Sequence, residues 1–221
     1  MSTASACPSL PYYSQWESSE RAADILAGHL ALAEDPNWAQ SGATSPQEYA
    51  EWADHICGMA CLKMILAART GKVYPTLELT RMALEFGAYV RKDHAIHGMI
   101  YAPFVKMIKA RFEIDAEVLV NLTAHDLLPM LRAGSMFMAS VHPSIRWLAG
   151  SPPRKGGHLV LVSASEERGL VLQNPSGHDS QSQRDVVVPV QVFDAFFAGR
   201  GVRIHPVGSG KPLGSSKTVS I

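Results

Sequence analysis

"GGHLVLVSASEERGLVLQNPSG", residues 156–177, decides how this chain folds. Two branched, apolar runs, "HLVLVSA" from His158 and "GLVLQN" ending at Asn174, flank the polar stretch "SEERG". Runs of this kind are strands, and a short polar reversal between them predicts an antiparallel hairpin. Pro175 cannot donate to a ladder and stops the second strand. A hairpin centred near Glu166 sets His158 directly opposite Asn174. Opposed side chains share a face, with Cβ atoms roughly 4.5–5.5 Å apart. A slip of one residue would separate them.

Outward from the hairpin, "SMFMASVH" (135–142), "DVVVPV" (185–190) and Val202–His205 read as further strands. The first half reads differently. Ser18 or Ser19 caps a predicted helix carrying Ile25, Leu26, Leu30 and Leu32 and ending near Asp35-Pro36. Further helices are predicted from Pro46 to Trp52 and over Cys57–Arg69, Thr76–Phe86, Gly98–Phe112, Thr123–Arg132 and Val190–Ala198. Helices come first and mostly antiparallel strands follow, so the fold class is α+β, in one domain over residues 1–206. Residues 207–221, "VGSGKPLGSSKTVSI", are small and polar and read as a disordered tail.

The bulk numbers exclude several functions. Twenty basic residues balance twenty acidic ones in 221 residues, so no global field attracts nucleic acid or an anionic membrane. No apolar stretch approaches the ~18 residues of a membrane span, and "MSTASACPSLPYY" has no basic start leading into an apolar run. Three cysteines cannot build a disulfide framework, so the expected compartment is a reducing cytoplasm. Oligomeric state is not legible.

Two of the cysteines lie four apart in "HICGMACLKMILAA" (55–68), at the head of a helix whose charged residues are only Lys63 and Arg69. Such a helix is a buried one. Cys57 opens it, where unpaired backbone N–H groups and the helix dipole favour negative charge. A thiol there is expected to have a lowered pKa and react as thiolate. Cys61 shares a face with Met64, Ile65 and Ala68 and is expected to pack. A nucleophilic thiolate needs a base and a group to orient it. His158 and Asn174 fill those roles, and an amide suffices if the pair rests as thiolate and imidazolium. The Cys57 N–H supplies one oxyanion donor, and Gln15 in "PYYSQWES", or failing that Gln47, the second.

In that order "PYYSQW", "CGMACLKMIL", "GGHLVLVSA", "LQNPSG" and "FDAFFAGR" resemble the papain-like peptidases of cysteine peptidase family thirty-nine, over most of residues 10–200. These include bacteriocin-leader-processing peptidases and their stand-alone relatives. The resemblance implies a papain-like fold with Cys57 as nucleophile, His158 as base, Asn174 where aspartate is common, and Gln15 at the oxyanion site. Ile56 stands where many relatives carry aspartate, and Gln15 lies 42 residues before Cys57. No transporter region follows, so the export-coupled role is not carried over.

The leading expectation is a cysteine peptidase that cleaves a peptide or amide bond through a thioester and needs no cofactor or metal. An acyl or peptidyl transferase with the same acyl-enzyme, and a papain-like module that only binds peptides, are the alternatives. A zinc site from Cys57, Cys61, His94 and His97 is disfavoured, because structural zinc cysteines sit in exposed knuckles rather than a buried helix. The loop "HPSIRWLAGSPPRKGG" (142–157), with Arg146, Trp147, Arg154 and Lys155, is read by default as a solvated loop, and alternatively as a mobile flap facing an acidic or aromatic substrate.

Overall fold

Local chemistry sets the helix limits. Ser45 accepts from the Glu48 N–H and Pro46 follows it, so α2 spans Pro46–Ala53. Gly71, left-handed at φ 72°, ends α3 (Cys57–Thr70). The expected helix from Ser19 to Asp35 is shorter: after one 3-10 turn, α1 covers only Ala22–Leu26. Its apolar residues are too few to hold a longer helix against the core, and Gly28, at φ 72°, turns the chain away. The remaining helices are α4 (Thr76–Glu85), α5 (Tyr101–Phe112), α6 (Leu127–Arg132), α7 (Ser180–Gln183) and α8 (Val190–Phe196). The computed structural model describes residues 10–92, 95–148 and 152–208. Cys7, His94 and the tail from residue 209 lie outside the described residues.

A small hairpin, β1 (Arg91–Lys92) with β2 (Ala95–Ile96), precedes the main sheet. That sheet has six antiparallel strands in the order β3-β8-β4-β5-β6-β7. Their ranges are β3 Ala116–Leu119, β4 Met136–Val141, β5 His158–Glu166, β6 Gly169–Gln173, β7 Val186–Val188 and β8 Phe197–Ile204. Two strands differ from expectation. Ala116–Leu119 is a four-residue edge strand, too short to show a period in sequence. The last strand begins at Phe197 rather than Val202: Phe197 leaves α8 in extended backbone and pairs with Val141. Its ring there packs edge-on to Phe137 and against Phe193.

Both faces of the sheet are covered, which is why its central strands read as unbroken apolar runs. Phe137, Ala139, Val160 and Val162 bury against α6 and α8, while Met138, Leu159 and Leu161 bury against α3, α4 and α5. α3 lies in that second core, and every residue from Gly58 to Leu66 is buried. The fold is thus mixed α and antiparallel β. Among the described residues, no helix is long and apolar enough to cross a membrane.

Candidate active site

Cys57 is the first residue of α3 and His158 the first of β5, and both line one cavity of about 550 Å³. Close packing places the helix head. A methyl group on Gly58 would come within 2.7 Å of Met99 Sδ and 3.2 Å of Leu159 Cδ1. The Leu159 backbone meets both cysteines, its N–H on the Cys57 sulfur and its carbonyl accepting from Cys61 Sγ at 3.8 Å. Cys61 is fully buried, and burial pushes its thiol well up. No hydrogen bond joins Cys57 Sγ to the His158 ring. Such contacts are commonly long without substrate and tighten when it binds.

The hairpin turns at Glu167-Arg168, with Glu166 opposite Gly169. Continued without interruption, that register would put His158 and Asn174 on opposite faces. Ser163 bulges out of β5 between Val162 and Ala164 and restores the parity, so Leu161 pairs with Gln173. Residue 174 therefore continues opposite 160 rather than 158, two residues from the expected register but on the expected face. The diagonal is short enough: His158 Nε2 lies 2.9 Å from Asn174 Oδ1.

The surrounding hydrogen bonds assign the proton. The Ser176 N–H donates to Asn174 Oδ1 at 3.1 Å, so that atom is the carbonyl oxygen of the amide. An oxygen that only accepts requires Nε2–H on His158. Nδ1 is then the lone-pair nitrogen. Ser176 Oγ lies 3.0 Å from Nε2 and receives Arg146 Nη2 at 2.8 Å, which leaves its own proton for Asn174 Oδ1 at 3.4 Å. The Asn-Pro-Ser turn signals the Ser176 contact in sequence. Arg146, 30 residues away, carries no such signal.

Burial sets the resting charges, and it corrects the expected thiolate–imidazolium pair. It pushes the Cys57 thiol pKa up, outweighing the N–H groups of Leu159, Gly58 and Cys57 itself. Part of Cys57 opens on the cavity, but crowded protein still dominates its surroundings. Burial also takes His158 down to about 4, against the raising effect of Asn174 and with the Arg146 charge adding to the fall. The pair rests as thiol and neutral imidazole. An imidazole is a base only when neutral, so hydrolysis is expected to fail as pH drops through about 4, well below the ordinary histidine value. Alkylation of Cys57 by iodoacetamide is expected to climb steadily into alkaline pH. A preformed ion pair would instead give a flat, fast rate between about pH 5 and pH 8.

The N-terminal segment straps the two halves of the site together. Tyr12 Oη donates to the Asn174 carbonyl at 2.9 Å, and Ser14 Oγ and the Gln15 N–H both donate to the Pro175 carbonyl. Trp16 Nε1 reaches Asp54, on the cavity wall, at 2.9 Å. Gln15 is buried beside Pro175 and outside the cavity wall, and among the described residues its Oε1 and Nε2 have no hydrogen-bond partner. Gln47 is exposed in the first turn of α2 and away from the cavity. His97 is exposed, while its neighbours Gly98 and Met99 line the cavity.

The expected flap lies mostly at the surface, but several of its side chains are tied down to the protein. Arg146 points at Ser176, Trp147 stacks on His178 with centroids 4.9 Å apart, and Lys155 Nζ donates to the Asp194 carbonyl. Residues 149–151 lie outside the described residues. Arg146 is tied to the surroundings of the His158 ring, its Nε donating to the Pro143 carbonyl and its Nη2 to Ser176 Oγ.

The sequence matches no protein-family model, and no curated protein is similar to it. Solved structures are. The chain is similar to a putative C39-like peptidase from Bacillus anthracis, with 13% identity and TM-score 0.50 over 69% of this chain and 90% of that one. It is also similar to the peptidase domain of Streptococcus ComA, a bifunctional ABC transporter involved in quorum sensing (16% identity, TM-score 0.48, 69% and 92% covered). A double glycine motif protease from an AMS/PCAT transporter, in complex with its leader peptide, is similar at 18% identity and TM-score 0.43, with 68% and 84% covered. The α+β fold read from the sequence is the fold that this chain shares with the C39-like peptidase.

Proposed function

We propose that the chain is a cysteine peptidase hydrolysing a peptide or amide bond. The observation that carries this reading is the proton assignment on His158: Nε2–H is held by Asn174 and Ser176, which leaves Nδ1 as base in a cavity shared with Cys57. As Cys57 Sγ attacks the carbonyl carbon, its proton passes to Nδ1. The donors for the oxyanion are the Cys57 N–H at the helix head and Gln15 Nε2, whose side chain has to swing from beside Pro175 to reach the cavity. Collapse of the tetrahedral species breaks the C–N bond, and Nδ1 returns the proton to the leaving amine. Water, deprotonated by Nδ1, then cleaves the thioester and restores the thiol. No cofactor enters this cycle.

Residue-resolved thiol labelling tests it. Iodoacetamide is expected to modify Cys57 while Cys61 stays protected, and His158→Ala is expected to slow that modification. Labelling that ignores Cys57, or a rate unchanged by His158→Ala, would count against the proposal.

A further inference from the structure

The cavity has a second chemical feature beside the base. Pairing between β4 and β8 runs Ala139 to Gly201 and then Val141 to Phe197, so Ala198, Gly199 and Arg200 together face the single residue Ser140. An extra loop of strand of this kind re-aims side chains. It turns Arg200 into the cavity, where, among the described residues, the guanidinium has neither ion pair nor hydrogen bond. Ser140 is 3% exposed, lines the same cavity, and its hydroxyl makes no hydrogen bond either.

The two groups converge. A Cβ on Gly156 would lie 3.1 Å from Arg200 Nη2 and 3.2 Å from Ser140 Oγ. Gly156, at φ 88° and buried two residues before His158, lets both donors close on its backbone, with Ala198 Cβ 3.3 Å from the same point. We propose that Ser140 and Arg200 form a subsite for a substrate carboxylate. A planar guanidinium edge with one added hydroxyl matches the two oxygens of a carboxylate, while a phosphate would ask for more donors. The reading rests on the proposed hydrolase for its position. His158 protonates the leaving amine, so a group held beside it belongs to the fragment that departs. The substrate class is then a peptide whose carboxylate, terminal or on an acidic side chain, follows shortly after the cleaved bond.

Binding to the Cys57→Ala protein tests this without turnover. The probes are acetyl-tetraalanine as free acid and as amide, and blocked alanine pentapeptides carrying one glutamate or one glutamine, titrated by calorimetry. At least one carboxylate probe is expected to bind about tenfold tighter than its neutral partner, as a charge-assisted pair at a partly exposed site allows. The pair showing that preference identifies the carboxylate as terminal or side-chain. Arg200→Gln in the same background is expected to erase the preference with neutral probes unchanged, and Ser140→Ala to weaken it. Equal binding of acids and neutral partners, no binding of any probe, or a preference surviving Arg200→Gln overturns the subsite. These results are separate from the labelling of Cys57, on which the hydrolase itself stands.

Discussion

Replacing His158 by alanine is expected to lower peptide hydrolysis by about 10³-fold or more, because every proton transfer of the cycle uses its Nδ1. The thiol resting protonated makes this loss larger than in a site with a preformed thiolate. Asn174→Ala is expected to behave differently and cost only about tenfold, since Ser176 Oγ, 3.0 Å from Nε2, still accepts the proton that defines the tautomer. Removing both Asn174 and Ser176 side chains is expected to cost more than the product of the single losses. Steady-state rates on one cleavable peptide check the series. Equal losses for Asn174→Ala and the double variant would show that Ser176 has no part in orienting the ring.

The second large effect concerns stability. Lys63 is buried mid-helix, with Nζ 3.2 Å from Glu17 Oε2 and 3.2 Å from Thr76 Oγ1, and Thr76 Oγ1 donates to Glu17 at 2.8 Å. The side chains of Lys63 and Glu17 are only 5% and 7% exposed. Lys63→Met is expected to cost roughly 3–5 kcal/mol, because it strands a carboxylate in the interior. Adding Glu17→Leu to Lys63→Met is expected to recover most of that loss, since it is the unpaired charge that costs. Urea midpoints check both. The effect reaches the site as well, because Glu17 directly follows the segment that binds Asn174 and Pro175. Thiol labelling in Lys63→Met should therefore slow even at temperatures where the protein stays folded.

The sequence revealed those parts of the molecule whose signals are local. The apolar run after Cys57, the Gly71 stop and the branched strands around "SEERG" each carry their own cause within a few residues, and the structure has all of them. His158 and Asn174 came together despite a mistaken register, because an error of two residues preserves the face. The Ser163 bulge itself was invisible: nothing about a serine in a strand says that it stands outside the ladder. The lowered thiol pKa failed for a similar reason. Helix-head donors can be read from position, but the burial that outweighs them comes from packing by distant segments. Arg146, Ser140 and Arg200 reach the site through tertiary contacts and strand irregularities, and their positions alone carry no mark of it.

The base itself is the point on which the chemistry turns, and nitrogen NMR of histidine-labelled protein reads it directly. At neutral pH, His158 is expected to show a protonated Nε2 and a bare Nδ1, unchanged as pH falls until about 4. A ring found doubly protonated at pH 7, or carrying its single proton on Nδ1, would contradict the account.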